Sequence, residues 1–564
     1  MENQKIIIYQ VFTRLFGNDC AAPVHNGTRQ QNGCGHMADF TKKALDEIRQ
    51  MGFTHIWYTG LIAHATQTDY SAYDVPANHP AIVKGKAGSP YAITDYYDID
   101  PDLAVKPEKR LTEFQNLVKR THQAGLKLII DFVPNHVARQ YHSTHCPQGT
   151  TNLGAEDDTS MGFSAQNNFY YIPGQALTPQ FRLEAPGLPP YSEQPAKATG
   201  NDNFSASPAI NDWYETIKLN YGVDYCGGHT THFYPIPSTW HKMLHILLYW
   251  AEKGIDAFRC DMAEMVPVEF WAWAIPQVKT QYPHITFIAE VYNPAQYRNY
   301  IHTGHFDFLY DKVGLYDTLR GVVCGYASAT QITSCWQQVD DIKGHMLNFL
   351  ENHDEQRIAS DYFASDPHKA LPALLVSACM GRNPMMVYFG QELGERGMDS
   401  EGFSGQDGRT TIFDYWSVDT IRRWRNKGTF SPQHLTSTEQ ALRHYYTHLL
   451  TLCNSEECLR QGDFYDLMYV NPCSPQFNAH RTYAFVRRTR KELVVALANF
   501  DPQPAQVQVN LPEHLFTLYG IRQKIRAKAT DLLTGTTEQA CLSSHSPLTT
   551  TLPGYGGKLL KFSL

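Results

Sequence analysis

The sequence predicts an α/β chain built on a TIM-type (β/α)8 barrel, with a subdomain inserted after the third strand and an all-β C-terminal domain. Three observations predict it. Short β-branched or apolar runs alternate with amphipathic helical stretches through the first 450 or so residues, one connection is far longer than the rest, and the texture changes near residue 454.

Eight runs read as strands: residues 6–11, 55–59, 126–132, 255–261, 286–290, 306–310, 346–350 and 385–389. Eight strands alternating with helices argue for a closed barrel rather than an open sheet. Between the third and fourth runs, residues 138–237 are rich in Pro, Gly, Asn and Ser, and this stretch is too long for an ordinary barrel connection. It is expected to form an inserted subdomain, leaving the barrel to residues 1–137 and 238–453. A helix over 240–253 returns the chain to the barrel through an apolar face of Leu244, Ile246, Leu247, Leu248 and Trp250. A last helix over 437–452 precedes alternating runs at 481–487 and 492–500, which make residues 454–564 a β-sandwich domain.

Composition narrows the function classes. The 564 residues carry 48 Lys+Arg and 56 Asp+Glu, a formal net charge of -8, with no basic run that could track a phosphate backbone, so nucleic acid is not an expected partner. No segment approaches the roughly 20 apolar residues of a membrane span, and the N-terminal apolar stretch is too short for a signal-peptide core. A cytoplasmic protein is expected. The 12 cysteines are scattered without a paired CxxC, which reads as reduced thiols.

Catalytic groups of a barrel enzyme sit at the C-terminal ends of its strands, and four strand ends here are densely polar. The third finishes Asp131-Phe-Val-Pro-Asn135-His136, the fourth Gly254-Ile-Asp-Ala-Phe-Arg259-Cys-Asp261, the fifth Phe287-Ile-Ala-Glu290, and the seventh Phe349-Leu-Glu-Asn-His353-Asp354. Arg259 and Asp261 lie two apart, so both face the barrel mouth, and the guanidinium is expected to keep Asp261 ionised. Crowding Asp261, Glu290 and Asp354 round one bond raises at least one of their pKa values, and a proton on Glu290 would make it a general acid. Asp131 is read as a hydrogen-bond acceptor outside the catalytic set. Metal ligation by these His and Asp residues is disfavoured because Arg259 would repel a cation.

In order and spacing the four clusters resemble the conserved regions of the α-amylase family, glycoside hydrolase family 13, and the likeness spans nearly the whole chain. The resemblance implies a retaining glycosidase acting on α-1,4-linked glucans, with Asp261 as nucleophile, Glu290 as general acid/base and Asp354 as transition-state stabiliser. It places His136, Arg259 and His353 round the glycone sugar, and Tyr91, in Tyr-Ala-Ile-Thr-Asp95-Tyr, as the ring that stacks on it. The separation of the Asp261 and Glu290 carboxyl groups is expected at about 5 to 5.5 Å. No cofactor is required, although Asn135 corresponds to a family calcium ligand. The starch-type substrate could equally be transferred or isomerised, as in trehalose synthesis, and a non-catalytic glucan-binding relative is the remaining alternative.

Several residues have a plainer reading. Trp271 and Trp273 follow the fourth strand at helical spacing and are expected to pack. Stretches 168–171 and 211–214 place aromatic residues in the insertion, where they could stack on sugar. One departure stands out: many α-amylases carry Lys-His at the third and fourth positions after the nucleophile, where this chain has Glu264 and Met265. The local text resembles neopullulanases and cyclomaltodextrinases more, though strand one starts at once, without their N-terminal domain.

Overall fold

A computed structural model of the chain describes residues 4–521 and 524–564. Eight parallel strands close a barrel: β1 (Ile7–Phe12), β2 (His55–Thr59), β3 (Lys127–Phe132), β4 (Ala257–Cys260), β5 (Thr286–Ala289), β6 (Phe308–Tyr310), β7 (Met346–Phe349) and β8 (Met385–Tyr388). Each falls on an expected run, and β8 closes on β1 with Ile7 opposite Met385.

The period of two along each strand divides its residues between two cores. Ile8, Trp57, Ile129, Ala257, Ile288, Leu347, Phe349 and Met386 fill the barrel interior, while Tyr9, Ile56, Phe258 and Phe287 face the surrounding helices. Continuing the inward register by two residues past each apolar layer reaches Asp131 from Ile129, Arg259 from Ala257 and Glu290 from Ile288. The alternation that fills the barrel therefore also stacks its polar groups at the top.

Helix α1 (Ser238–Glu252) starts two residues before its expected start and buries Trp240, Met243, Ile246, Leu247 and Trp250. Leu244 and Leu248, expected on that face, are only half-buried, because the buried stripe follows the 3.6-residue repeat rather than the run of consecutive apolar residues. The Trp250 indole N–H donates to the Tyr96 carbonyl at 2.7 Å. Gly254, in the left-handed conformation at φ 89°, then turns the chain from the helix into β4. Helix α2 (Val268–Gln281) places Trp271 in the core, fully buried, and Trp273 half-buried against Trp240.

Between β3 and α1 the chain forms only short antiparallel pairings, the first joining residues 136–138 to 216–218. Beyond the long helix α3 (Ser437–Ser455) the strands are β9 (Asp463–Asp466), β10 (Thr482–Arg488), β11 (Glu492–Asn499), β12 (Ala505–Val509), β13 (Lys524–Asp531), β14 (Thr537–Ser543), β15 (Leu548–Leu552) and β16 (Gly556–Ser563). They make a six-stranded antiparallel sheet, ordered β9-β10-β11-β16-β13-β14, and a β12-β15 pair. Arg487 on β10 is fully buried and donates to the Cys379 and Gly462 carbonyls, fastening this sheet to the barrel. No helix among the described residues is long and apolar enough to cross a membrane.

Trp271 closes the wall behind β4: its ring meets Phe306 at 4.8 Å and its indole N–H donates to the Ala263 carbonyl at 3.2 Å. Trp271→Ala is expected to cost about 3–5 kcal/mol, read as a lower urea midpoint with native circular dichroism retained in buffer.

Candidate active site

Arg259 organises the barrel mouth. Its side chain is 1% exposed, and it sits between three rings, 5.1 Å from Trp57 and 5.5 Å from both Tyr91 and Tyr310. One guanidinium reaches three acids from three strand ends. Nη1 lies 2.6 Å from Asp261 Oδ1 and 3.7 Å from Asp131 Oδ1, Nη2 lies 2.8 Å from Glu290 Oε2, and Nε donates to the Tyr310 hydroxyl at 3.1 Å. Asp131 in turn accepts from the Trp57 indole N–H and the Gly60 amide, so it steadies Arg259 from below, in the acceptor role expected of it.

Glu290 is held from two further directions. The Met262 amide donates to its Oε2 at 2.8 Å and the Tyr292 hydroxyl to its Oε1 at 2.5 Å. Met262 takes up the left-handed conformation, φ 43°, which is strained for a residue with a side chain and which turns its amide toward Glu290.

On the β7 side, the Gln10 amide donates to His353 Nδ1 at 2.9 Å, which leaves the ring proton on Nε2. That nitrogen faces the Tyr91 hydroxyl at 2.5 Å and Asp354 Oδ2 at 3.2 Å. The Tyr91 and His353 rings stack at 5.2 Å. His136, across the mouth, packs against Trp213 at 5.3 Å.

All seven sequence-predicted residues meet here: Tyr91, His136, Asp261, Glu290 and Asp354 line one cavity of about 570 Å³, and Arg259 and His353 lie directly behind it. Trp213 also lines it, as the 211–214 stretch suggested, whereas Phe169, Tyr170 and Tyr171 are buried within the insertion. Sequence reasoning missed Tyr292, Lys312 and the Lys84–Glu215 ion pair (3.0 Å), which also line the cavity. Lys84, Glu215 and Tyr292 lie on loops without a motif, and Lys312 opens the helical turn Lys312–Tyr316. The one available signal was that Tyr292 follows Glu290 by two residues.

Burial decides the electrostatics. It pushes the Asp261 carboxyl well above the usual range, Arg259 pulls it back, and Glu290 and Asp354 push it up again. Enclosure in the mouth, with Glu290 adding to it, takes Asp354 up to about 7, although 43% of its side chain faces the open cavity. Asp131 is pushed up to about 6, first by burial. The expectation that Arg259 simply keeps Asp261 ionised is therefore corrected: one guanidinium serves several buried acids, and Asp261, Asp354 and Asp131 all stay above the ordinary carboxylate range. Both imidazoles are neutral. Burial lowers His353 well below its ordinary value, with Arg259 adding to it, and takes His136 down to about 3, with Lys218 and Lys84 adding to it.

A sequence model of the family described as "Alpha amylase, catalytic domain" matches residues 10–440. The chain belongs to the α-amylase family. It is thus a glycoside hydrolase, and its amylase-type barrel carries a C-terminal all-β domain. It is similar to Alpha-amylase 2 of Dictyoglomus thermophilum, 20% identical over 520 residues, covering 90% of this chain and 71% of that one. It is also similar to Neopullulanase 2 of Thermoactinomyces vulgaris, 19% identical over 525 residues, covering 90% and 72%. Among solved structures, a noncanonic maltogenic alpha-amylase AmyB from Thermotoga neapolitana shares the fold at a TM-score of 0.64, with 18% identity and 100% of both chains covered.

Two further positions singled out by the family resemblance are Asn135 and Glu264. The Asn135 oxygen expected to ligate calcium accepts instead from Lys218 Nζ at 2.8 Å, and the Asn135 amide donates to the Gly200 carbonyl. Lys218 is buried and also pairs with Asp202 at 2.5 Å, so an ammonium occupies the space a divalent ion would need and the donor set does not fit calcium. Among the described residues, Asp95, Asp98 and His145 also converge, but the Arg110 guanidinium already caps Asp98 at 2.7 Å. Glu264, standing where many family members have lysine, accepts from the Asn293 amide at 3.0 Å and so ties the loop after β4 to the loop after β5.

Dialysis against EDTA is expected to leave the thermal midpoint unchanged, whereas Lys218→Met, which strands the buried Asn135 carbonyl, costs about 1–3 kcal/mol. For Asp131, raised in the folded state, the sign is fixed: folding holds its proton more tightly, so stability is full below pH 4 and falls as the pH rises through about 6. Asp131→Asn should flatten that fall in a pH series of urea midpoints; an unchanged slope would contradict the assignment.

Proposed function

We propose that the chain hydrolyses α-1,4-glucosidic bonds of starch-type glucans or maltooligosaccharides with retention, through a covalent glycosyl-enzyme intermediate. The observation that carries this is the single guanidinium of Arg259 gripping Asp261 at 2.6 Å and Glu290 at 2.8 Å, which brings two carboxyls from adjacent strands to one bond. Neighbouring carboxyls favour nucleophile and acid over a pair held apart by a water.

An Asp261 oxygen attacks the anomeric carbon while the bond to the leaving oxygen breaks and Glu290 delivers its proton there. Water then attacks the same carbon, giving its proton to Glu290, and the sugar leaves Asp261 with the α configuration restored. The first step needs Asp261 ionised and a proton on Glu290. Asp354 and His353 hold the hydroxyls of the reacting sugar, His136 holds it from the opposite side, and the Tyr91 ring stacks on it. Their neutral imidazoles donate and accept without adding charge beside the developing oxocarbenium. The aglycone lies along Met262, Tyr292 and Lys312. The relatives named alpha-amylase and neopullulanase support an α-glucan as substrate.

Asp261→Ala is expected to lower kcat on maltoheptaose by roughly 10⁴–10⁶-fold, with the thermal midpoint preserved. The product released first, followed by polarimetry or NMR, should be the α-anomer. A β-anomer appearing first would overturn retention, and undiminished turnover by Asp261→Ala would overturn the nucleophile.

A further inference from the structure

The two ends of the catalytic cavity are built differently. Glu290 follows β5, and in the order of the closed barrel β5 stands diametrically opposite β1. A general acid protonates the oxygen of the departing sugar, so the leaving chain lies on the β5 side and the attacked sugar points toward β1. The β5 side is open: Val313, just past β6, lines the cavity and is 40% exposed.

The β1 side is walled. Arg14, two residues past the end of β1 and buried, donates to the Gly88 carbonyl at 3.2 Å and to the Ile412 carbonyl at 3.0 Å. It thereby draws the connection after β2 against the connection after β8, and the Ala87 amide adds a bond to the Phe413 carbonyl at 3.0 Å. The two backbones touch. Gly85 takes the left-handed conformation, φ 67°, and a Cβ there would run into the Phe413 carbonyl. The insertion completes the wall through Lys84, whose ammonium pairs with Glu215 at 3.0 Å and lies 5.3 Å from the Tyr214 ring.

Lys84 and Glu215 line the cavity, yet their side chains are only 12% and 5% exposed. A pair so buried is a weak source of stability, because each charge has lost its water. It does suit the end of a sugar chain. An ammonium carries three N–H donors and the bond to Glu215 uses one, so donors remain for the outermost hydroxyls of a terminal sugar.

We infer that this wall stops the substrate chain just beyond the attacked end, so that the protein works from the non-reducing ends of α-glucans and maltooligosaccharides rather than inside the chain. Lys84 and Glu215 are the specificity-determining pair that meets the terminal sugar. Action at the chain end rests on the function proposed above and adds to it where the cut falls.

The test compares maltoheptaose with maltoheptaose capped by an ethylidene bridge across the two outermost hydroxyls of its non-reducing sugar, following loss of substrate by chromatography. The native chain should cleave the capped form with kcat/KM lower by about 100-fold or more, since a group pressed against the wall displaces the bond from the acids. With maltoheptaose labelled at its reducing end, the label should stay in the longest fragments early in digestion. Lys84→Ala combined with Glu215→Ala removes the pair without leaving a lone buried charge and should raise the capped-to-free ratio about tenfold, with the thermal midpoint reporting that the variant is folded. Equal rates on capped and free substrate, or label appearing at once in fragments of every length, would overturn action at the chain end and leave the proposed function standing; both measurements use the native chain and hold whether or not the variant folds. An unchanged ratio in the folded double variant overturns the role given to the pair. Failure to cleave the free substrate would overturn the proposed function, and action at the chain end with it.

Discussion

Everything at the barrel mouth depends on one buried cation. Arg259 is 1% exposed and cannot give up its charge, so the acids around it are arranged to suit it rather than the reverse. Losing its water would be prohibitive without compensation, and compensation comes from three carboxyls, a tyrosine hydroxyl and the faces of three rings. The same set that makes Arg259 tolerable makes the acids hard to ionise together. Burial raises Asp261 and Asp354, and Arg259 counteracts the rise only in part. A site able to hold one carboxylate ionised beside another that is protonated is what the proposed double displacement uses, and in this chain it follows from supplying one guanidinium to several acids. Such a site is expected to cost stability, in keeping with the strained backbone at Met262.

The fold was legible because two of its constraints are periodic. The barrel strands are buried on both faces, so each appears as a short apolar run, and the eight runs coincide with the eight observed strands. The inward register then determines which residues reach the mouth: Asp131, Arg259 and Glu290 continue the parity of Ile129, Ala257 and Ile288. Residues tied to that register could be found without coordinates. The buried face of α1 was read less well, because consecutive leucines obscure a stripe carried by Trp240, Met243 and Trp250.

What could not be read lies in the connections between the barrel strands. Lys84 and Glu215 are 131 residues apart in the chain and meet at 3.0 Å only because the insertion folds back over the loop after β2. Lys218 could not be recognised as the cation beside Asn135, since a lone lysine in a polar insertion ordinarily points to water, and only packing shows it buried. Electrostatics was legible in kind but not in distribution. Crowded carboxyls and a neighbouring arginine can be seen in sequence, but the balance between burial and ion pairing at Asp261 depends on how little of it, 6%, remains exposed.

The central claim concerns the barrel mouth, namely that Asp261 forms a covalent bond to sugar. It is tested most directly by treating the protein with a fluorinated maltosyl fluoride, which forms the intermediate quickly and hydrolyses it slowly, and mapping the adduct by peptide mass spectrometry. The account predicts one added maltosyl group on the peptide containing Asp261. An adduct on Glu290 or Asp354, or turnover of the reagent with no adduct at any time, would contradict it.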